Sequence, residues 1–193
     1  CPSGVQYAQI ADAGRRLTQA RDFRTLPQRG LRWLLRQTVP RPKVFTSLLR
    51  MGQGVRGALP ATLRRLIPPR QQRLPFAARR LSRRMVLLEG CVQRAATPRT
   101  NDAARRVLDR LGIELVSARR EGCCGAVNHH LGAHAAALAD MRRNIDALWP
   151  SIEAGAEAVI SSATGCGAQI ADYGRLLADD PAYRDRAARI SEL

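Results

Sequence analysis

The chain has 193 residues, 45% hydrophobic and 25% charged, which fits one or two globular domains able to bury a core without staples. No stretch approaches the roughly 20 apolar residues of a membrane-spanning helix, and the opening CPSGVQYAQIADAG lacks the basic-then-apolar order of a secretory signal. The net charge of +16 is unevenly placed: residues 1–84 carry 19 Lys/Arg against Asp12 and Asp22, a balance of +17, whereas residues 85–193 balance to −1.

The first half reads as helical pieces cut by prolines. From Val5 to about Arg24, Val5, Ile10 and Leu17 stand among polar residues, as on a surface helix. Pro27, Pro40, Pro42, Pro60, Pro68, Pro69 and Pro75 then limit every later helix to a few turns. Between them, GLRWLLRQ and ATLRRLI place apolar residues three and four apart, with Arg opposite. Residues 1–84 are therefore expected to form a basic, mainly helical segment that packs against something else. Arg79, Arg80, Arg83 and Arg84 would form a docking edge just ahead of the first strand.

The second half, residues 85–193, changes character at Met85. MVLLEG is a short apolar run ending in Gly, suited to a buried strand. RTNDAARRVLDRLG follows as a helix, with Asn101 or Asp102 near its start and Gly112 as its stop. IELVSA is the next strand. LGAHAAALADMRRNIDALW is a long helix with Leu131, Ala135, Leu138, Ile145 and Leu148 on one stripe and Pro150 just beyond. AEAVISSA is a third strand, and CGAQIADYGRLLA a third helix. This alternation predicts an α/β fold, a small parallel sheet with crossover helices. In such sheets functional groups gather beyond the carboxyl ends of the strands.

Four of the five cysteines fall at those places: Cys91 after the first strand, Cys123 and Cys124 after the second, Cys166 after the third. Inert core thiols would have no reason to follow strands only. A disulfide framework is disfavoured without a sign of export, and a bridge between adjacent Cys123 and Cys124 would be strained. Zinc sites usually bring paired short knuckles, which are missing here. Iron–sulfur clusters take Cys thiolates, and Gly90, Gly122, Gly125, Gly165 and Gly167 beside these thiols let backbone approach a cluster. The chemistry ranks iron–sulfur first and zinc second.

The words around the thiols add a resemblance. EGCV, GCCG and SATGCGAQ, with 31 residues between Cys91 and Cys123 and 41 between Cys124 and Cys166, together resemble the cysteine-rich CCG domain. That domain occurs in the cysteine-rich subunit of heterodisulfide reductase and in iron–sulfur subunits of flavin-dependent dehydrogenases. LLEGCVQ, LDRLGIELV, EGCCGAVNHHLG, RRNIDAL, ATGCGAQIADYG and RDRAARISEL are most similar to the glycolate oxidase iron–sulfur subunits. The resemblance implies that residues 85–193 are a first CCG domain and that Cys91, Cys123, Cys124, Gly125 and Cys166 surround an iron–sulfur cluster of 4Fe-4S type. It also gives Cys1–Pro2 a meaning, as the last ligand of a two-cluster ferredoxin run. A ferredoxin-type domain would then precede residue 1, and a second CCG domain would follow Leu193. One departure stands out: the fuller CCG pattern ends in CxxC, and here Gln169 occupies the last position.

By the same resemblance the chain is an electron-transfer subunit, with no catalytic residue of its own. It would take electrons from flavin subunits that carry the FAD and oxidise glycolate to glyoxylate. It would sit in the cytoplasm, at the cytoplasmic face of the inner membrane. Lactate or glycerol-3-phosphate dehydrogenases and heterodisulfide reductase-like complexes are alternatives within the superfamily. An Arg-rich nucleic-acid-binding protein is the alternative from another class, disfavoured by 4% aromatics and the lack of a reader motif. The partner expectation is therefore protein, not nucleic acid. His130 and His134, four apart, are expected to share a helical face and, with His129, to serve as hydrogen-bonding or capping groups rather than ligands. GQGVRG at 52–57 lacks the strand–turn–helix setting of a phosphate loop.

Overall fold

A computed structural model describes residues 4–5, 7–21, 24–76, 79–118 and 120–193. Three short strands form a parallel sheet: β1 (Arg83–Leu88), β2 (Ile113–Ser117) and β3 (Val159–Ser161), in the order β2-β1-β3. Val86 of β1 lies opposite Val116 on one side and Val159 on the other. As the central strand, β1 is covered on both faces, and Val86, Leu87 and Leu88 are fully buried. That burial is why its sequence is an unbroken apolar run rather than an alternation.

Between β1 and β2 lie α5 (Gln93–Ala96) and α6 (Pro98–Arg110). Pro98 sits in the first turn of α6, where a missing N–H costs nothing. Between β2 and β3 lie α7 (Ala126–His130) and α8 (His134–Glu153). The buried line of α8 is Ala137, Met141, Ile145 and Leu148, with Asp140 and Asn144 also inside. The expected stripe was partly wrong. Leu131 precedes α8, Ala135 is exposed, and Pro150 lies inside the helix rather than beyond it. The Ala-rich helix start, HAAALAD, leaves its phase undetermined until packing selects a face.

The expected third helix is two, α9 (Thr164–Ala171) and α10 (Tyr173–Leu176), broken at Asp172 and followed by α11 (Arg184–Glu192). Tyr173, Leu177, Ala187 and Ile190 complete the core with α8 and β1.

The basic half forms α1 (Tyr7–Arg21), α2 (Leu26–Thr38), α3 (Pro42–Val55), a 3-10 turn at Arg56–Ala58 and α4 (Ala61–Leu66). Pro27 and Pro42 open α2 and α3, so these prolines start helices as well as limit them. In α2 to α4 no residue is buried, and Leu26, Trp33, Met51 and Leu66 are largely exposed. The docking edge needs correction. Arg79, Arg83 and Arg84 are spent within the chain, on Asp109, Glu157 and Glu114 respectively. The missing acids of the first half are thus supplied partly by the second. Among the described residues no helix is long and apolar enough to cross a membrane.

Candidate metal centre

The chain runs from central β1 to β2 on one side, then returns to β3 on the other. This leaves a switch point between β1 and β3, the place where open α/β sheets bind ligands. Cys91 and Cys166 flank it. A Cβ added at Gly90 would lie 3.9 Å from the Cys166 Sγ. Cys123 and Cys124 come in from the loop after β2.

The sulfurs meet in a chain: Cys91 with Cys123, Cys123 with Cys124, and Cys124 with Cys166 are in hydrogen-bonding reach. All four are free thiols. Cys91, Cys123 and Cys124 are buried, while Cys166 in the first turn of α9 is half-buried. Cys1 lies outside the described residues.

Cys123 is the acidic member, drawn to about 3 by hydrogen bonds from Cys124 and Cys91, with the backbone N–H groups of Gly125 and Val127 adding to the pull. Its neighbours move the other way. Hydrogen bonding to Cys123 and burial push Cys91 and Cys124 upward. Cys166 is lowered as well, chiefly by its hydrogen bond with Cys124.

Gly125 explains why the loop can turn into α7 here. It is the N-cap residue in a left-handed conformation, φ +89°. A Cβ would lie 3.0 Å from the Ala137 carbonyl oxygen and 3.3 Å from Met141 Cγ. Only glycine admits this φ at no cost and lets the CCG loop lie flat on α8.

Residues far away in sequence hold the loops. The Glu89 backbone N–H donates to both Glu121 carboxylate oxygens, at 2.9 and 3.0 Å. Arg94 donates to both Glu89 and Glu121. Arg73 and Arg105 donate to Glu89 at 2.8 and 2.7 Å. Burial alone would raise the Glu89 carboxyl, but these guanidinium groups outweigh it and hold it at about 2. Glu121 ends above its ordinary value, because burial dominates there.

Asn101 Nδ2 donates to the Glu89 carbonyl (3.0 Å), and Ser162 Oγ donates to Asn101 Oδ1 (2.7 Å), joining the β1 and β3 ends. Asn144 accepts from the Gly122 N–H and donates to the Cys123 carbonyl, both at 2.8 Å. Tyr173 Oη donates to the Cys124 carbonyl at 2.9 Å.

Glu89, Asn101, Glu121, Asn144 and Tyr173 were all missed by sequence reasoning. One signal was available for two of them: the tripeptide Glu-Gly-Cys occurs twice, at 89–91 and 121–123.

The donor set fits an iron–sulfur group. It offers soft thiolate ligands that are free of disulfides and carried on glycine-flanked loops. Backbone N–H groups of Val92, Gly125 and Val127 already face sulfur, the kind of hydrogen bond that tunes such centres. Gln169, at the place of the absent fifth cysteine, is buried and accepts or shares a contact with His129 Nδ1 at 3.3 Å. The histidine expectation is corrected in its geometry: His130 ends α7 and His134 begins α8, so they share no helix. His129 instead lies between them, with ring centroids 5.4 and 5.6 Å away.

Residues 85–171 match the cysteine-rich domain family, CCG. The chain is 48% identical, over its full length, to 48% of the glycolate oxidase iron-sulfur subunit of Escherichia coli (strain K12). It is 28% identical over 97% of its length to 48% of the probable glycolate oxidase iron-sulfur subunit of Bacillus subtilis (strain 168). The chain therefore spans about half the length of these curated relatives. No solved structure matches it.

Proposed function

Residues 85–171 match the CCG cysteine-rich domain family, and on that likeness we propose that the chain is part of the electron-transfer subunit of a glycolate oxidase. The observation that carries the reading is the meeting of four free thiols at the switch point of a parallel sheet. Cys91, Cys123, Cys124 and Cys166 would hold an iron–sulfur cluster, of 4Fe-4S type by resemblance, which supplies one-electron redox chemistry when bound. Cys1 would belong to a ferredoxin-type domain ahead of it, and residues 85–193 would form the first of two CCG domains.

The chain's own residues have defined tasks in this reading. Gly125 and Val127 aim N–H groups at Cys123, favouring its thiolate. Asn144 and Tyr173 fix the carbonyls of Cys123 and Cys124, so the two thiols cannot swing away from the sheet. Arg73, Arg94 and Arg105 meet Glu89, Glu121 and Asp102 beneath the loops, so the charge of that floor is balanced.

No acid–base pair or nucleophile is needed in this chain. The substrate, glycolate, and the FAD would belong to flavin subunits. The exposed apolar and basic faces of α2 to α4 would meet the remainder of the protein and those subunits, at the cytoplasmic face of the membrane.

The test is anaerobic purification of the whole complex carrying Cys123→Ser plus Cys124→Ser. Iron and acid-labile sulfide should fall by one cluster per subunit, and electron flow to an acceptor should stop, while the flavin subunit still reduces its flavin with glycolate. Zinc in place of iron in the parent protein, or unchanged iron in the variant, would overturn the reading.

A further inference from the structure

All three histidines of the chain gather beside Asp12. Asp12 comes from α1 in the basic half, and His129 and His130 come from the end of α7. One ligand atom from each of Asp12, His129 and His130 lies within 4.8 Å of the other two. Asp12 and His129 are both buried.

His129 carries the argument. Its Nδ1 faces Gln169 Oε1 at 3.3 Å, an acceptor. A hydrogen on Nδ1 leaves Nε2 as a lone pair, the tautomer in which ligating histidines are held by an outer carbonyl. That Nε2 is buried and has no hydrogen-bond partner. It stands 3.6 Å from Asp12 Oδ2, another acceptor. With Nδ1 protonated both atoms are acceptors, so no hydrogen bond joins them. They suit two ligands of one ion, each about 2.0–2.2 Å from it.

We propose that Asp12, His129 and His130 bind a single divalent transition-metal ion of the Zn2+ class, distinct from any group on the cysteines. Imidazole with carboxylate is a donor set for such an ion. His129 and His134 line a cavity of about 350 Å3 with Arg16, Ala137, Leu138, Met141 and Leu176, which lets water approach the site from the His129 side. His134 Nε2, also without a partner, stands at the same cavity.

Arg15 and Arg175 hold the carboxylate, at 2.8 Å to Oδ1 and 3.3 Å to Oδ2. Each oxygen has a second lone pair, so Oδ2 still has one for an ion. The two guanidinium charges also repel a cation, so the ion should exchange with chelators. Because Asp12 and His129 belong to different halves, the ion would pin α1 onto the α/β half.

Co2+ is the probe. The full chain is titrated with Co2+ alongside Asp12→Asn, His129→Gln, His130→Ala and the Cys123→Ser plus Cys124→Ser variant. We expect the cysteine variant to bind one Co2+ equivalent with visible d–d bands but no thiolate charge-transfer band, displaced by Zn2+; the Asp12, His129 and His130 changes are read in that background. It should disappear in Asp12→Asn and His129→Gln. It should weaken in His130→Ala by at least about tenfold, the lower range for disturbing even an outer partner of a metal site. His130 is exposed, so its variant decides the matter where circular dichroism shows the other two misfolded. Co2+ bound only with thiolate bands, or unchanged affinity in His130→Ala, overturns the proposal. So does a 15N spectrum showing both His129 ring nitrogens protonated at saturating Zn2+. Loss of iron from the cysteines leaves this site untouched, so the two readings fail separately.

Discussion

Glu121 receives the backbone N–H of Glu89 on both of its carboxylate oxygens, at 2.9 and 3.0 Å. The residue two before Cys123 therefore grips the residue two before Cys91, and the two Glu-Gly-Cys loops are set at a fixed spacing by a single side chain.

Glu121→Gln should separate that grip from mere shape. The amide keeps one acceptor for Glu89 but loses the charge that Arg94 needs. We expect a loss of about 1–3 kcal/mol in denaturant unfolding of the cofactor-free chain, the usual cost of a damaged buried polar contact. Iron retention should fall with it, while Glu153→Gln on the surface changes neither.

Acid stability should be dominated by Glu89. Its carboxyl is depressed from 4.5 to about 2 in the folded protein by the guanidinium groups that outweigh its burial. A depressed carboxylate stabilises the fold above its unfolded value, and that contribution is lost as pH falls from about 4.5 through about 2. Glu89→Gln should flatten the unfolding free energy across this window, as followed by urea melts at each pH.

Gly125→Ala should cost about 1–3 kcal/mol, the range for a residue held in a sparsely populated conformation. The added methyl also meets the Ala137 carbonyl oxygen at 3.0 Å, so the CCG loop must lift from α8. Thermal unfolding and iron content should both drop. Gly155→Ala, equally left-handed but with no atom within 4 Å, should affect stability alone.

Arg83 and Glu157 join the start of β1 to the residue leading into β3. Arg83→Glu should lower the melting temperature, Glu157→Arg should do the same, and the combined swap should restore most of the loss. A double-mutant cycle measures this directly. The effect should shrink in high salt, because both groups are exposed.

The three strands were legible because each is a short apolar run bounded by turn residues. The meeting of the four thiols was legible because every one of them follows a strand. MVLLEG needed no partner to be read. The supports of the site were not legible. Asn144 reaches Cys123 across 21 residues, and Tyr173 reaches Cys124 across 49. A polar residue on a helix gives no local sign that it faces inward to a carbonyl. The phase of α8 failed for a related reason: Ala-rich windows fit two faces, and the buried Asp140 and Asn144 read as surface positions. Arg79, Arg83 and Arg84 were misplaced because net charge along a segment says nothing about acids that fold back onto it.

The half-buried position of Cys166 gives the site a weak side. Peroxide and air reach that sulfur before the three sealed ones. A sulfenic acid formed there has the Cys124 thiol in contact, and the two condense to a disulfide with release of water. A chain stripped of its prosthetic group in air would thus bolt its own doorway. Reconstitution would then begin with a thiol reductant, before any iron is added.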